Sequence, residues 1–302
     1  MGQRERFHDA EVARAAAEGP VEVVPGLWMI ALRTPTLPPA THTNAFLVGT
    51  REAVLVEPAS PYPEEVERVV DLVEGAQARG QRVRAILVTH HHPDHVGGAL
   101  ALRDRLHLPL WAHERTIARL EGRVGFERAV ADGERIALQG DPPMELRALH
   151  TPGHAPGHLC FLEPASGAMI AGDMVAGIGT IVVEPQDGDM ALYLESLRRM
   201  VDAGARVLLP AHGGPIRDVR SCIDYYVRHR LEREQKVVAA LRKHPAGATA
   251  PALLPDAYGD APKAAWPLAV QSIRAHLIKL EREGRVRPLE GDRWALRGPG
   301  SA

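Results

Sequence analysis

The stretch RAILVTHHHPDHVGG, Arg84 to Gly98, constrains this chain more than any other. A short apolar run reads as a buried strand, and it ends in four histidines and an aspartate within six residues. Side chains alternate between faces along a strand, so His90 and His92 point the same way as the strand runs out. His91, between them, is expected to face outward. Asp94 and His95 follow in a tight loop, and Gly97 and Gly98 let the next helix start close behind. Imidazole and carboxylate converging on one spot suit zinc, iron or manganese.

The rest of the chain repeats this placement. His154 lies in HTPGHAPGH, Asp173 in AGDMV and His212 in PAHGG. Each follows an apolar strand and has glycine beside it, which lets backbone approach a crowded site. Strands alternate with helices such as PEEVERVVDLVEGAQARG and MALYLESLRRMVDAG, so a layered α/β sandwich is expected, with its reactive residues at strand ends. His158 is open to two readings, a group near the metals or a loop histidine bonded to backbone. His150 is expected to be the latter.

At 302 residues the chain has room for more than one domain. No run approaches the ~18 apolar residues of a membrane span. The N-terminal stretch MGQRERFHDAEVARAAAEGP has no apolar signal core, and Gly2 is followed by Arg6 where a myristoylation motif wants Ser or Thr. A cytoplasmic protein is expected. Cys160 and Cys222 form neither a disulfide framework nor a CxxC site, so both are expected as buried free thiols. The net charge of −2 is unevenly spread: residues 224–302 hold 14 basic and 9 acidic side chains, +5, and the remainder carries −7. That basic quarter reads as helix, short helix, helix and hairpin, the outline of a winged helix. The expected division is 1–222 and 223–302.

The order THxHxDH, TPGH, GD and a late histidine, from Thr89 to His212, resembles the metallo-β-lactamase-fold hydrolases. The Asp-His pair with a later aspartate is similar to the glyoxalase-II-type and nuclease branches. HRLEREQKVVAALRK, VQSIRAHLIKLEREGRV, GTIVVEP and THTNAFLVG further resemble the lactamase-β-like endoribonucleases, which carry a winged-helix-like C-terminal domain. The resemblance implies an αββα sandwich followed by a small winged-helix-like domain. It also implies one metal on His90, His92 and His154, a second on Asp94, His95 and His212, and Asp173 bridging them.

Two Zn²⁺ per chain are therefore expected, with Mn²⁺ or Fe²⁺ as substitutes. Paired dications lower the pKa of a shared water from ~15.7 to about 7, so a bridging hydroxide replaces a side-chain nucleophile. No Gly-x-Ser-x-Gly elbow is present. Asp94 is the catalytic carboxylate, accepting a hydrogen bond from the hydroxide. Such a core serves esters, thioesters and phosphodiesters alike. The acidic catalytic part favours a small-molecule or acyl-carrier-linked ester or thioester. The basic tail, with Arg285, Arg287, Arg293 and Arg297 in the wing, favours single-stranded RNA, the alternative partner. No membrane partner is expected, and a homodimer is compatible with the tail.

Overall fold

The computed structural model describes residues 7–297. The extremes of the two expected units, 1–6 and 298–302, lie outside them, Gly2 and Arg6 included. Helix α1 (Ala10–Glu18) leads into an antiparallel meander of β1 (Val21–Val24), β2 (Leu27–Arg33), β3 (His42–Gly49) and β4 (Glu52–Val56). Helix α2 (Pro63–Ala78) then carries the chain to β5 (Arg82–Leu87), which pairs parallel with β4. Pro63 at its first turn and Val66, Val69, Val70 and Val73 at helical spacing explain that helix. Helices α3 (Pro93–Val96), α4 (Ala99–Leu106) and α5 (Glu114–Arg119) accompany the parallel strands β6 (Leu110–Ala112) and β7 (Arg128–Ala129), which complete a seven-stranded sheet.

The second sheet has five strands: β8 (Arg135–Leu138), β9 (Met144–His150), β10 (Leu159–Glu163), β11 (Ala168–Gly172) and β12 (Val207–Pro210). Helix α6 (Met190–Asp202) makes the crossover that sets β12 parallel to β11. The sheets face each other, and the period-2 alternation sorts side chains into layers. Met29, Phe46, Leu159 and Phe161 fill the space between the sheets. Their neighbours Ile30 and Leu47 pack outward on α2 and α4, while Cys160 and Leu162 pack outward on α6. Because both faces of these strands are buried, they read as continuous apolar runs. Cys160 and Cys222 are buried thiols, and neither forms a disulfide among the described residues.

Helix α7 (Val219–Arg242) starts in that outer layer, with Cys222, Ile223 and Tyr226, and ends in another core, with Val237, Val238 and Leu241. Position 222 thus lies in the first turn of one continuous helix. The later core is closed by α8 (Ala250–Tyr258), α9 (Trp266–Arg282) and a three-stranded sheet in which β14 (Val286–Leu289) and β15 (Arg293–Leu296) form the wing and β13 (Ala248–Thr249) pairs with β15. Among the described residues no helix is long and apolar enough to cross a membrane.

Where α7 meets α9, Glu234 sits 2.8 Å from Lys279 Nζ, 2.9 Å from Arg285 Nη1 and 3.5 Å from His276 Nδ1. Burial alone would raise its pKa, but His276 and Lys279 outweigh that and hold it at about 2. A depressed carboxylate contributes stability above its unfolded pKa of about 4.5, and that contribution is lost as pH falls towards about 2. Glu234→Ala should cost about 3 kcal/mol at pH 7, because Lys279 stays buried without its counter-ion. Thermal melts at stepped pH should show the two Tm curves converging between pH 4.5 and 2; a constant gap would mean the loss is packing rather than charge. Arg285, expected as a free arginine of the wing, is instead part of this cluster.

Candidate active site

Strand β5 ends at Leu87, and the extended residues after it turn His90 and His92 towards one point, with His92 heading α3. Gly98 makes the turn feasible: a Cβ there would lie 2.5 Å from the Ser60 carbonyl oxygen. The loop after β9 brings His154 to the same point. His90 Nε2, His92 Nδ1 and His154 Nε2 stand 2.9–3.2 Å apart. The outer nitrogen of each ring has its own partner. His92 Nε2–H donates to Asp187 Oδ2 at 2.9 Å and His154 Nδ1–H to the Val182 carbonyl at 2.8 Å, while His90 Nδ1 meets the Thr89 hydroxyl at 2.9 Å. The lone pairs of His92 and His154 therefore face the third ring nitrogen, His90 Nε2.

Burial, with the neighbouring imidazoles, pushes the His90 pKa well down. Burial and His92 bring His154 to about 4. Both rings are neutral at pH 7, the state a metal ligand needs. Three ring nitrogens this close can converge on one cation once His90 is in the tautomer that leaves its Nε2 unprotonated. Their separations are near the ~3.3 Å edge of a tetrahedral zinc site with bonds of ~2.0–2.1 Å.

Asp94, His95 and His212 form a second group within 4.8 Å. His95 Nδ1–H donates to Glu57 Oε2, and His212 Nδ1–H donates to the His42 carbonyl at 2.8 Å. Their Nε2 atoms face carboxylates: His95 lies 3.8 Å from Asp94 and 3.7 Å from Asp173, His212 3.6 Å from Asp94 and 3.4 Å from Asp173. Asp173 Oδ1 turns to this pair, and its Oδ2 lies 3.6 Å from His154 Nε2 in the first group. His95 Nε2 and Asp173 Oδ1 are buried without a hydrogen-bond partner. Such orphans are rare unless something else binds them.

Burial opposes charge on His95 and His212. The charges of Glu57, Asp173 and Asp94 outweigh it at His95, as Asp173 does at His212, and raise both pKa values. Burial would raise Asp173, yet His212 and His95 hold it well below the carboxylate range. In the chain alone, protons balance the charge that a cation would balance. On both counts the seven residues fit a pair of metal ions.

His91 is not outward-facing as expected. Its Nε2 lies 3.0 Å from Asp187, beside His92, because the same carboxylate reaches both rings. His150 behaves as expected, donating from Nε2 to the Pro156 carbonyl at 2.9 Å and stacking on His113. His158 is fully buried. Its Nε2 accepts the Asp173 backbone N–H at 3.1 Å, and its Nδ1 meets Thr151 Oγ1 at 2.8 Å. Gly172 permits that approach: at φ +47 its Cβ would lie 2.5 Å from His158 Nε2.

Glu57 and Asp187 escape sequence reasoning. The signal for Glu57 is a carboxylate ending the apolar strand AVLV, where nothing but a buried partner could hold it. Asp187, which also meets Arg119 at 3.1 Å, lies in a loop without periodicity.

Above the site is a pocket of about 270 Å³. Pro35, Leu37, Ala40, Ile178 and Val182 give it an apolar lip, and His92, Asp94, His154, Asp173 and His212 form its floor. Among the described residues no Lys or Arg lines it. Among the described residues the carboxylate of Glu184, on its wall, has no ionic partner.

Comparison with known proteins agrees with this geometry. Residues 38–212 match the metallo-beta-lactamase superfamily, and residues 249–294 match the beta-lactamase associated winged helix domain. The lactamase-like protein adaB of Aspergillus niger is 30% identical over 280 residues, 86% of this chain and 82% of that protein. An atrochrysone carboxyl ACP thioesterase of Aspergillus chevalieri is 34% identical over 67% of this chain and 61% of that protein. A beta-lactamase-like protein 2 homolog of Caenorhabditis elegans is 30% identical over 81% and 80%. In fold, a beta-lactamase domain protein of Burkholderia ambifaria superposes with a TM-score of 0.80, at 24% identity over 98% of this chain and 99% of that one.

Proposed function

The chain belongs to the metallo-beta-lactamase superfamily of hydrolases, and from that premise we propose that it hydrolyses an ester or thioester with two metal ions, zinc first among them. His90, His92 and His154 would hold one ion, Asp94, His95 and His212 the other, with Asp173 between them. Residues 1–222 form the catalytic unit and 223–302 the winged-helix unit in this reading. The observation that carries it is the trio of imidazole nitrogens 2.9–3.2 Å apart, each ring bonded from behind. When bound, the ions would make a water acidic enough to ionise near pH 7 and would polarise the scissile carbonyl oxygen. Asp94, on the pocket floor, would accept a hydrogen bond from the attacking hydroxide. The apolar lip would hold the acyl group.

The pocket supports a carbonyl substrate over a phosphodiester. A lining with no Lys or Arg among the described residues, and the Glu184 carboxylate on its wall, disfavour a polyanion. Two of the relatives are named atrochrysone carboxyl ACP thioesterases, which agrees with an acyl chain delivered as a thioester, on a carrier or a small thiol.

Elemental analysis after reconstitution should find close to two equivalents of metal per chain; one or fewer would sink the binuclear reading. The substrate class is tested by assaying a simple acyl thioester and a single-stranded RNA across a salt series. The wing arginines available to RNA are Arg287, Arg293 and Arg297, since Arg285 is held by Glu234 and Glu283. Thioester turnover should vary little with salt and survive Ala at all three positions. RNA cleavage that needs metal, falls with a log–log slope near −0.7 per phosphate contact and vanishes in the triple variant would favour the nuclease instead.

A further inference from the structure

Two of the three histidines in the first metal group are oriented by one loop, which runs between β11 and α6. His154 donates to the Val182 carbonyl at 2.8 Å and His92 to Asp187 at 2.9 Å. The third, His90, takes its partner from the adjacent Thr89. Residues 173–189 contain only turns, bends and coil, so no ladder of backbone hydrogen bonds fixes that loop. Bonds to the catalytic unit hold its ends: Gly177 N–H donates to the His212 carbonyl at 2.8 Å and Asp189 N–H to the Gly153 carbonyl at 2.8 Å. Between these ends Arg119 of α5 meets Asp187 Oδ1 at 3.1 Å, and the loop has further help from the other unit.

Arg230 of α7 is buried, 3% exposed, and its Nη2 donates to the Ile181 carbonyl at 2.5 Å, one residue before Val182. Its guanidinium also lies 5.2 Å from the Tyr193 ring centroid on α6. A guanidinium is rarely buried without a carboxylate partner, because desolvation is costly; here its hydrogen bond goes to a neutral carbonyl of this loop. Arg282 of α9 donates to Asp189 Oδ2, two residues after Asp187. The other oxygen of Asp189 caps α6, accepting from Ala191 N–H at 2.8 Å and Leu192 N–H at 3.1 Å. Both arginines come from C-terminal helices, and they grip the loop on either side of the two acceptors.

We propose that Arg230 and Arg282 are positioning residues that make the winged-helix unit a brace for the first metal site. This rests on the metal reading above. If the brace slackens, Val182 and Asp187 drift and the rings of His154 and His92 lose the orientation that points their lone pairs at one spot. Partners behind metal-bound histidines are typically worth about 10- to 100-fold in metal affinity, and a residue one step further out should fall at the lower end.

The test uses the full-length protein stripped of metal. Zn²⁺ is titrated back against a chromophoric chelator, and Co²⁺ is titrated to follow its ligand-field bands, in the wild type, Arg230→Met, Arg230→Lys, Arg282→Ala, the Arg230→Met/Arg282→Ala double variant and Arg287→Ala. Arg287 lies on the wing and is the control. Each single loss should weaken one of the two Zn²⁺ Kd values about tenfold and shift the Co²⁺ bands. The double variant should be weaker still, Arg230→Lys partly restored and Arg287→Ala unchanged. Arg282 is 60% exposed, so its alanine variant should fold even if Arg230→Met does not. Zn²⁺ Kd values within twofold of wild type in Arg282→Ala and the double variant, with only Tm lowered, would overturn the brace. A wild type that binds no metal would overturn the metal reading itself.

Discussion

Asp173→Ala is expected to lower kcat by about 100-fold or more while leaving the circular dichroism spectrum unchanged. Asp173 has two carboxylate oxygens that address the two ligand groups separately, Oδ1 towards His95 and His212, Oδ2 towards His154. Without it, that link between the two groups is lost. Folding should survive, because Oδ1 has no hydrogen bond to lose and the neighbouring β11 strand is paired on both edges. Removing the carboxylate also removes a main opposing charge from His95 and His212, so burial should pull both pKa values down. Steady-state kinetics on a thioester, with metal content measured on the same sample, checks this. Near-normal turnover would show that Asp173 does not join the two groups.

The seven converging residues were legible because polar residue types suited to a metal stood at close spacing, and strand ends supply the convergence. THHHPDH put four of the seven side chains within six residues, and His154, Asp173 and His212 each stood out as a polar residue ending an apolar strand. The layers were legible for the same reason: strands buried on both faces are apolar throughout, and α2 and α6 show their 3.6-residue stripe. What could not be read is whatever depends on backbone position. The Val182 and His42 carbonyls that orient His154 and His212 have no residue identity to betray them. His158 was readable as a histidine but not as the acceptor of the Asp173 N–H, which only the turn at Gly172 creates. His91 was misjudged because strand alternation was extended past Leu87, where the strand has ended and Asp187 from a distant loop draws the ring in. Arg285 was misplaced as a free cation because its partner, Glu234, lies on another helix.

Glu57→Gln is expected to cost about 10- to 100-fold in affinity at the second metal site, with the fold retained. The change adds almost no volume; it removes the charge and turns one acceptor into a donor, so its effect reads the electrostatics and hydrogen-bond polarity of this position rather than its packing. Glu57 is fully buried and accepts two bonds at once: the Thr89 backbone N–H donates to Oε1 at 2.8 Å, and His95 Nδ1–H donates to Oε2. Its backbone sits at φ 69, a left-handed conformation that costs a non-glycine residue about 1 kcal/mol or more, and its N–H is tied to the Leu87 carbonyl at 2.9 Å. Strain retained at such a point marks a side chain that the site needs. A glutamine offers one oxygen and one NH₂ where two acceptors are required. If the oxygen stays with Thr89, which holds the strand end that carries His90, the NH₂ faces His95 Nδ1. The ring then relieves the clash by moving its proton to Nε2, the atom that faces Asp94 and Asp173. A donor there cannot bind a cation. The first group, whose rings are fixed by Thr89 Oγ1, Asp187 and Val182, should keep its affinity, so the two Zn²⁺ dissociation constants should separate. Titration of the stripped variant reads both constants, and nitrogen-15 shifts of the His95 ring report the tautomer. Two unchanged constants with the proton still on Nδ1 would show that Glu57 does not set the ring, and its burial and backbone strain would then need another cause.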